Sequence, residues 1–210
     1  MAEELGKIEK PPVEKFTNLR KLIMVPLVFS GKDAPADFTE IFNRCWKQID
    51  EQIVKLETNL GNVSRVYHEM IFNDGEEGLK ILEQLSPESF KVVSVKYKNG
   101  AKLQGVEDAE LAMENMDWER CLMVAMGQKV RSQIAQFHIE SGAKRYRHIS
   151  QRIDETLKDR EIGLIFVREG HSLQFPQSIE VLNVYPIALD ELNRWLRDFS
   201  SRANARSQEA

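Results

Sequence analysis

The residues whose types and spacing best suit chemistry are Arg168, Glu169 and His171. They close an apolar run, Ile162 to Val167, and surround Gly170. An arginine offers an anion a planar fork of N–H donors. A neighbouring carboxylate can take a proton or bind a metal, and a histidine changes charge near neutral pH. Consecutive apolar residues without alternation predict a strand covered on both faces. In open α/β sheets ligands lie beyond the carboxyl ends of such strands, and Gly170 lets the backbone turn tightly there. The pattern predicts a small anionic ligand held by Arg168, Glu169 and His171. The competing reading is an ordinary polar turn at a strand end.

His68 and Glu69 are the candidates for a metal role, since imidazole and carboxylate suit zinc- or iron-type ions. They are adjacent in a stretch, 63–72, that reads as a strand, and strand neighbours point to opposite faces. Both therefore cannot hold one ion in a regular strand. If this strand lies beside 162–167, His68 or Glu69 reaches the cleft of His171. That supports an alternative function, a metal-assisted hydrolase using His171, Glu169 and His68.

Two charged stretches complete the candidates. Glu107, Glu110, Glu114 and Asp117 step by three, four and three, which places four carboxylates on one helical face. Lys144, Arg145, Arg147, His148 and Arg152 surround Tyr146. Basic residues around an aromatic can track a phosphate backbone, but Tyr146 fits a buried stripe and Asp154 and Glu155 follow. The acidic and basic helices together support a third reading, a non-enzymatic protein-interaction module. No phosphate-binding glycine loop, dinucleotide fingerprint, zinc-protease helix or serine-hydrolase elbow is present in the sequence.

The elements that must position these residues follow from periodicity. The 22–29 stretch reads as a strand, with Pro26 marking an edge or a bulge. Phe38, Ile41, Cys45, Ile49, Ile53, Leu56 and Leu60 keep helical spacing up to Gly61. A short helix follows at 75–85. The 87–103 stretch fits both a helix and a hairpin around Asn99-Gly100, and the helix is preferred. Helices are expected from Glu107 onward and over 129–159, where Gly142 marks a kink. Strands at 162–167 and 178–186 lead to a closing helix carrying Leu189, Leu192, Leu196 and Phe199. The last two strands are left open between parallel and antiparallel.

Strands alternating with helices predict an α/β protein, a single layered domain with a small mixed sheet flanked by amphipathic helices. Its expected bounds are 20–200, with a flexible lead-in over 1–19 and a disordered tail over 201–210. The 210 residues are 42% hydrophobic and 30% charged, with a formal net charge of −4. That balance suits a globular chain and argues against a dedicated nucleic-acid binder. Cys45 and Cys121 are read as reduced core thiols, and no cofactor or structural metal is expected. With no apolar run long enough for a bilayer and no signal-like start, the expected location is cytoplasmic, without a membrane. Trp46 and Trp195 beside amphipathic stripes predict a homodimer.

Overall fold

A computed structural model describes residues 19–208, with side chains through Ser201. Five strands, β1 (Arg20–Pro26), β2 (Arg65–His68), β3 (Lys102–Gln104), β4 (Ile162–Val167) and β5 (Ile179–Asn183), form one sheet in the order β3-β2-β4-β1-β5. Every pairing is parallel, so the sheet is not mixed. The helices are α1 (Ala36–Leu60), α2 (Gly75–Leu85), α3 (Pro87–Lys98), α4 (Ala109–Val124), α5 (Gln128–Thr156) and α6 (Ile187–Gln208).

The sheet has a separate core on each face. Ile23, Val25, Val66, Leu164 and Phe166 point to α1, α2, α3 and α6. Leu22, Met24, Tyr67, Ile165 and Val167 point to α5. All six residues of β4 are buried, which explains its unbroken apolar sequence. On α1 the stripe Phe38, Cys45, Ile49 and Ile53 is buried, and Trp46 joins it, stacked on Phe166. Trp46 therefore belongs to the core and is not spare surface. Burial pushes the Cys45 thiol up to about 11, so it stays protonated. Cys121 is only half-buried, which corrects its reading as a core thiol.

Several local expectations change. Pro26 lies on a central strand, not an edge, between β4 and β5. The Leu27 amide donates to Val167 on β4 at 2.8 Å, so by alternation the missing Pro26 donor falls on the β5 side. Pairing with β5 has already ended there, at Met24 and Asn183, and no ladder bond is lost. The 63–72 stretch is strand only through His68; Met70 has φ 78° and turns the chain away. Over 87–103 the chain is helix and then the short strand β3, with Asn99 and Gly100 ending the helix. Helix α5 runs without a break through Gly142.

The β4–β5 connection holds no helix. It crosses over β1 on the α5 side, where Leu173 and Phe175 pack into that core. Helix α6 continues to Gln208, past the expected start of the tail; the N-terminal lead-in, except for Leu19, lies outside the described residues. No helix among the described residues is long and apolar enough to cross a membrane.

Candidate functional site

Strand β2 lies beside β4, with His68 level with Phe166, and the next residue, Glu69, donates its amide to the Phe166 carbonyl at 2.9 Å. Alternation then separates the two side chains, as the sequence predicts. His68 turns to the α1 side, stacks on Phe166, and bonds Ser89 Oγ at 3.0 Å and its neighbour's carbonyl. Burial lowers its pKa to about 4, against the smaller opposing effects of the Glu69 carbonyl and charge. Glu69 turns to the α5 side, where its carboxylate is fully enclosed.

Glu69 organises the end of the sheet. It accepts the Arg168 amide at 2.8 Å and Arg168 Nε at 2.9 Å. The Tyr146 hydroxyl donates to it at 3.3 Å, and an Arg145 amino group lies 3.0 Å away. Arg145 also grips Glu107, with Nε at 2.9 Å and a second bond from its terminal amino group. Glu107 caps the turn after β2 by accepting the Met70 amide at 3.0 Å. Two carboxylates and two guanidiniums thus alternate, and the buried charges balance. Burial alone would raise the Glu69 pKa, but the Arg168 amide, the Arg168 charge and Arg145 hold it below the usual carboxylate range. The Arg145 guanidinium is stabilised in its charged form by Glu107 and Glu69, against the effect of burial.

The three residues singled out after β4 have different partners. Arg168 is clamped through its amide and Nε, yet its side chain remains 39% exposed. Its two terminal amino groups have no hydrogen-bond partner among the described residues. Glu169 is exposed and accepts from Asn193 on α6 at 2.9 Å. His171 sets its ring edge-on to Tyr146, and its Nδ1 accepts the Leu173 amide at 3.3 Å. Burial lowers the His171 pKa, with Glu69 opposing, which favours the neutral ring. Gly170 has φ +79° and open space where a side chain would be, so backbone conformation is what favours glycine.

Beside this turn lies a cleft of about 350 Å³, with Arg168, Glu169, Gly170 and Ser172 on one wall and Tyr146, His138 and Asn115 on the other. Asn115 bridges α4 to α5 by donating to the His138 carbonyl and to Ser141, fixing the opposite wall. Ala143 and Ser172 also border a second hollow of about 360 Å³ that reaches Arg147 and Gln151. The two make one groove between α5 and the β4–β5 crossover. A smaller hollow of about 130 Å³ touches His171 across the ends of β1, β4 and β5.

The metal set does not assemble. His68 is on the far side of the sheet, Glu169 faces α6 and His171 faces α5. Among the described residues no three metal-ligating side chains converge. Glu107 is not on the acidic helical face, because Asp108 caps α4 by accepting the Leu111 amide. Glu110, Glu114 and Asp117 remain there. Of the basic stretch, Arg145 is buried in the network and Lys144 pairs with Glu114. Sequence reasoning missed Arg145, Glu107 and Tyr146 as parts of this site. The alternation that placed Glu69 opposite His68 was the available clue to the α5 side.

The fold and site define a parallel α/β protein with a polar groove at the carboxyl ends of its central strands. No protein-family model, curated protein or solved structure matches the chain.

Proposed function

We propose that the protein binds a small anionic ligand in the groove beside β4, with Arg168 as the anion contact. The observation that carries this reading is the Arg168 clamp. Glu69 takes the amide and Nε, fixing the side chain, while both terminal amino groups have no hydrogen-bond partner among the described residues and Arg168 borders the cleft. A guanidinium fixed in advance loses little entropy when it meets a carboxylate or phosphate. Glu69 offsets part of its charge, so the arginine acts mainly by directed hydrogen bonds.

Glu169 and Glu119 also border the cleft. Their carboxylates accept hydrogen bonds and repel a bare polyanion. The fitting ligand has one anionic end and hydroxyl or amino donors elsewhere. His171 supports Tyr146 and the turn, and the neutral ring adds no repulsion toward the donor groups.

Thermal-shift measurements against monophosphates and carboxylates bearing hydroxyl or amino groups test the reading. The wild type should be stabilised by at least one class. Ala143→Trp, on an exposed position that borders both halves of the groove, should abolish that shift and leave the melting point of the free protein nearly unchanged. Arg168→Gln should abolish it as well. A shift that survives Ala143→Trp and Arg168→Gln places the ligand elsewhere.

A further inference from the structure

We infer that the α4–α5 hairpin is a dimerisation arm that docks antiparallel against the same arm of a second copy of this chain. Helix α4 packs on α5, and its buried residues, Ala112 and Asn115, lie in its first half. From residue 116 to residue 140 no residue is buried. Two antiparallel helices cover only one stripe of each other. Here that stripe is Trp118, Cys121, Leu122, Ile134 and Ala135, all half-buried, with Trp118 against Phe137 at 4.9 Å. Outside it Met123 is 74% exposed, Val124 78% and Met126 98%. Contiguous apolar surface of this kind marks an interaction site.

Charge identifies the occupant. Helix α4 carries Glu110, Glu114, Asp117 and Glu119 against Arg120, while the first turn of α5 carries Lys129 and Arg131. Within one chain these sets are out of register. Asn115 lies beside Ser141 and Trp118 beside Phe137, so Lys129 and Arg131 sit about 10–15 Å nearer the tip than Asp117 and Glu119. Glu110, Glu119, Lys129 and Arg131 make no ion pair among the described residues. A two-fold axis near Leu122 and Ile134 corrects the register. It sets the basic tip of each arm level with the acidic middle of the other and covers both exposed stripes as a four-helix bundle. A self-complementary surface of this form is what an isologous dimer requires. The same placement brings the tip of the second copy to Glu119 and Ile139, which border the cleft.

Light scattering of the full chain at micromolar concentration should give twice the chain mass. Met123→Glu with Val124→Glu, both at exposed positions, should give the monomer mass with an unchanged far-ultraviolet circular dichroism spectrum. Charge reversal tests the partner. Asp117→Lys with Glu119→Lys should be monomeric alone, as should Lys129→Glu with Arg131→Glu, and an equimolar mixture should restore the dimer mass. A monomeric wild type, a dimer indifferent to these changes, or a mixture that stays monomeric overturns the inference.

Discussion

Replacing Arg145 with methionine removes one charge from the centre of the buried network and keeps most of the side chain's volume. The guanidinium lies 3.0 Å from Glu69 and is bonded twice to Glu107, and both carboxylates are fully enclosed. Removing one member of a buried ion pair leaves the other charge uncompensated, at a cost of about 3–5 kcal/mol. Arg168 still partners Glu69, whereas Glu107 loses its cationic partner and keeps the Met70 amide, so the upper part of that range is not expected. The sign of the pH dependence follows from Glu69. Its folded pKa lies below the ordinary value. Its contribution is therefore full above the unfolded pKa of about 4.3 and is lost as pH falls through the folded value. Without Arg145 the depression of Glu69 shrinks, so the variant has less of this contribution to lose toward acid. The deficit of Arg145→Met against wild type should narrow from about pH 6 to about pH 3. Urea unfolding followed by tryptophan fluorescence at both pH values measures it. A deficit below about 1 kcal/mol at the higher pH, or one that widens at the lower pH, refutes the argument.

Other consequences are open to direct measurement. Phe166→Ala should cost about 3–5 kcal/mol in urea unfolding, because the ring is fully buried between Trp46 and His68. Glu169→Ala, which loses one exposed bond to Asn193, should stay within about half a kilocalorie per mole; equal losses would show that the turn is structural. Gly163→Ala should cost about 1–3 kcal/mol, because a Cβ there would meet Leu22 at 2.9 Å and Tyr67 at 3.1 Å; an unchanged unfolding midpoint would refute that packing. The pKa of His68 is lowered to about 4, so it favours the folded state fully above the unfolded value of about 6.5, and that contribution falls away toward acid. Nuclear magnetic resonance titration should find the His68 ring neutral at about pH 5, and a midpoint near the unfolded value would place it in a solvated setting.

Side-chain periodicity carried much of this fold. The α1 stripe, the buried run of β4 and the polar turn at Arg168 and Gly170 are legible because each obeys one local rule. The charged network is not legible, since it joins Glu69, Glu107 and Arg145 from three segments far apart in the chain. Glu107 was misleading for a local reason: it continues the three-and-four spacing of α4 one step before Asp108 caps the helix. Arg145 reads as one cation among several until the fold buries it. Pro26 misled because the sequence does not show that β5 stops pairing two residues earlier. The sequence leaves strand direction open for a related reason: β4 and β5 are consecutive in sequence but separated by β1 in the sheet.

The central claim is that Arg168 presents fixed, available donors to an anion. Its side-chain nitrogen resonances, followed by nuclear magnetic resonance while inorganic phosphate and then glycolate are titrated in, test it most directly. The account predicts saturable shifts of the terminal Arg168 amino signals and of the amides of Gly170 and Ser172, with the Nε signal, held by Glu69, moving least. Unmoved Arg168 signals, or shifts centred on another part of the surface, would contradict it.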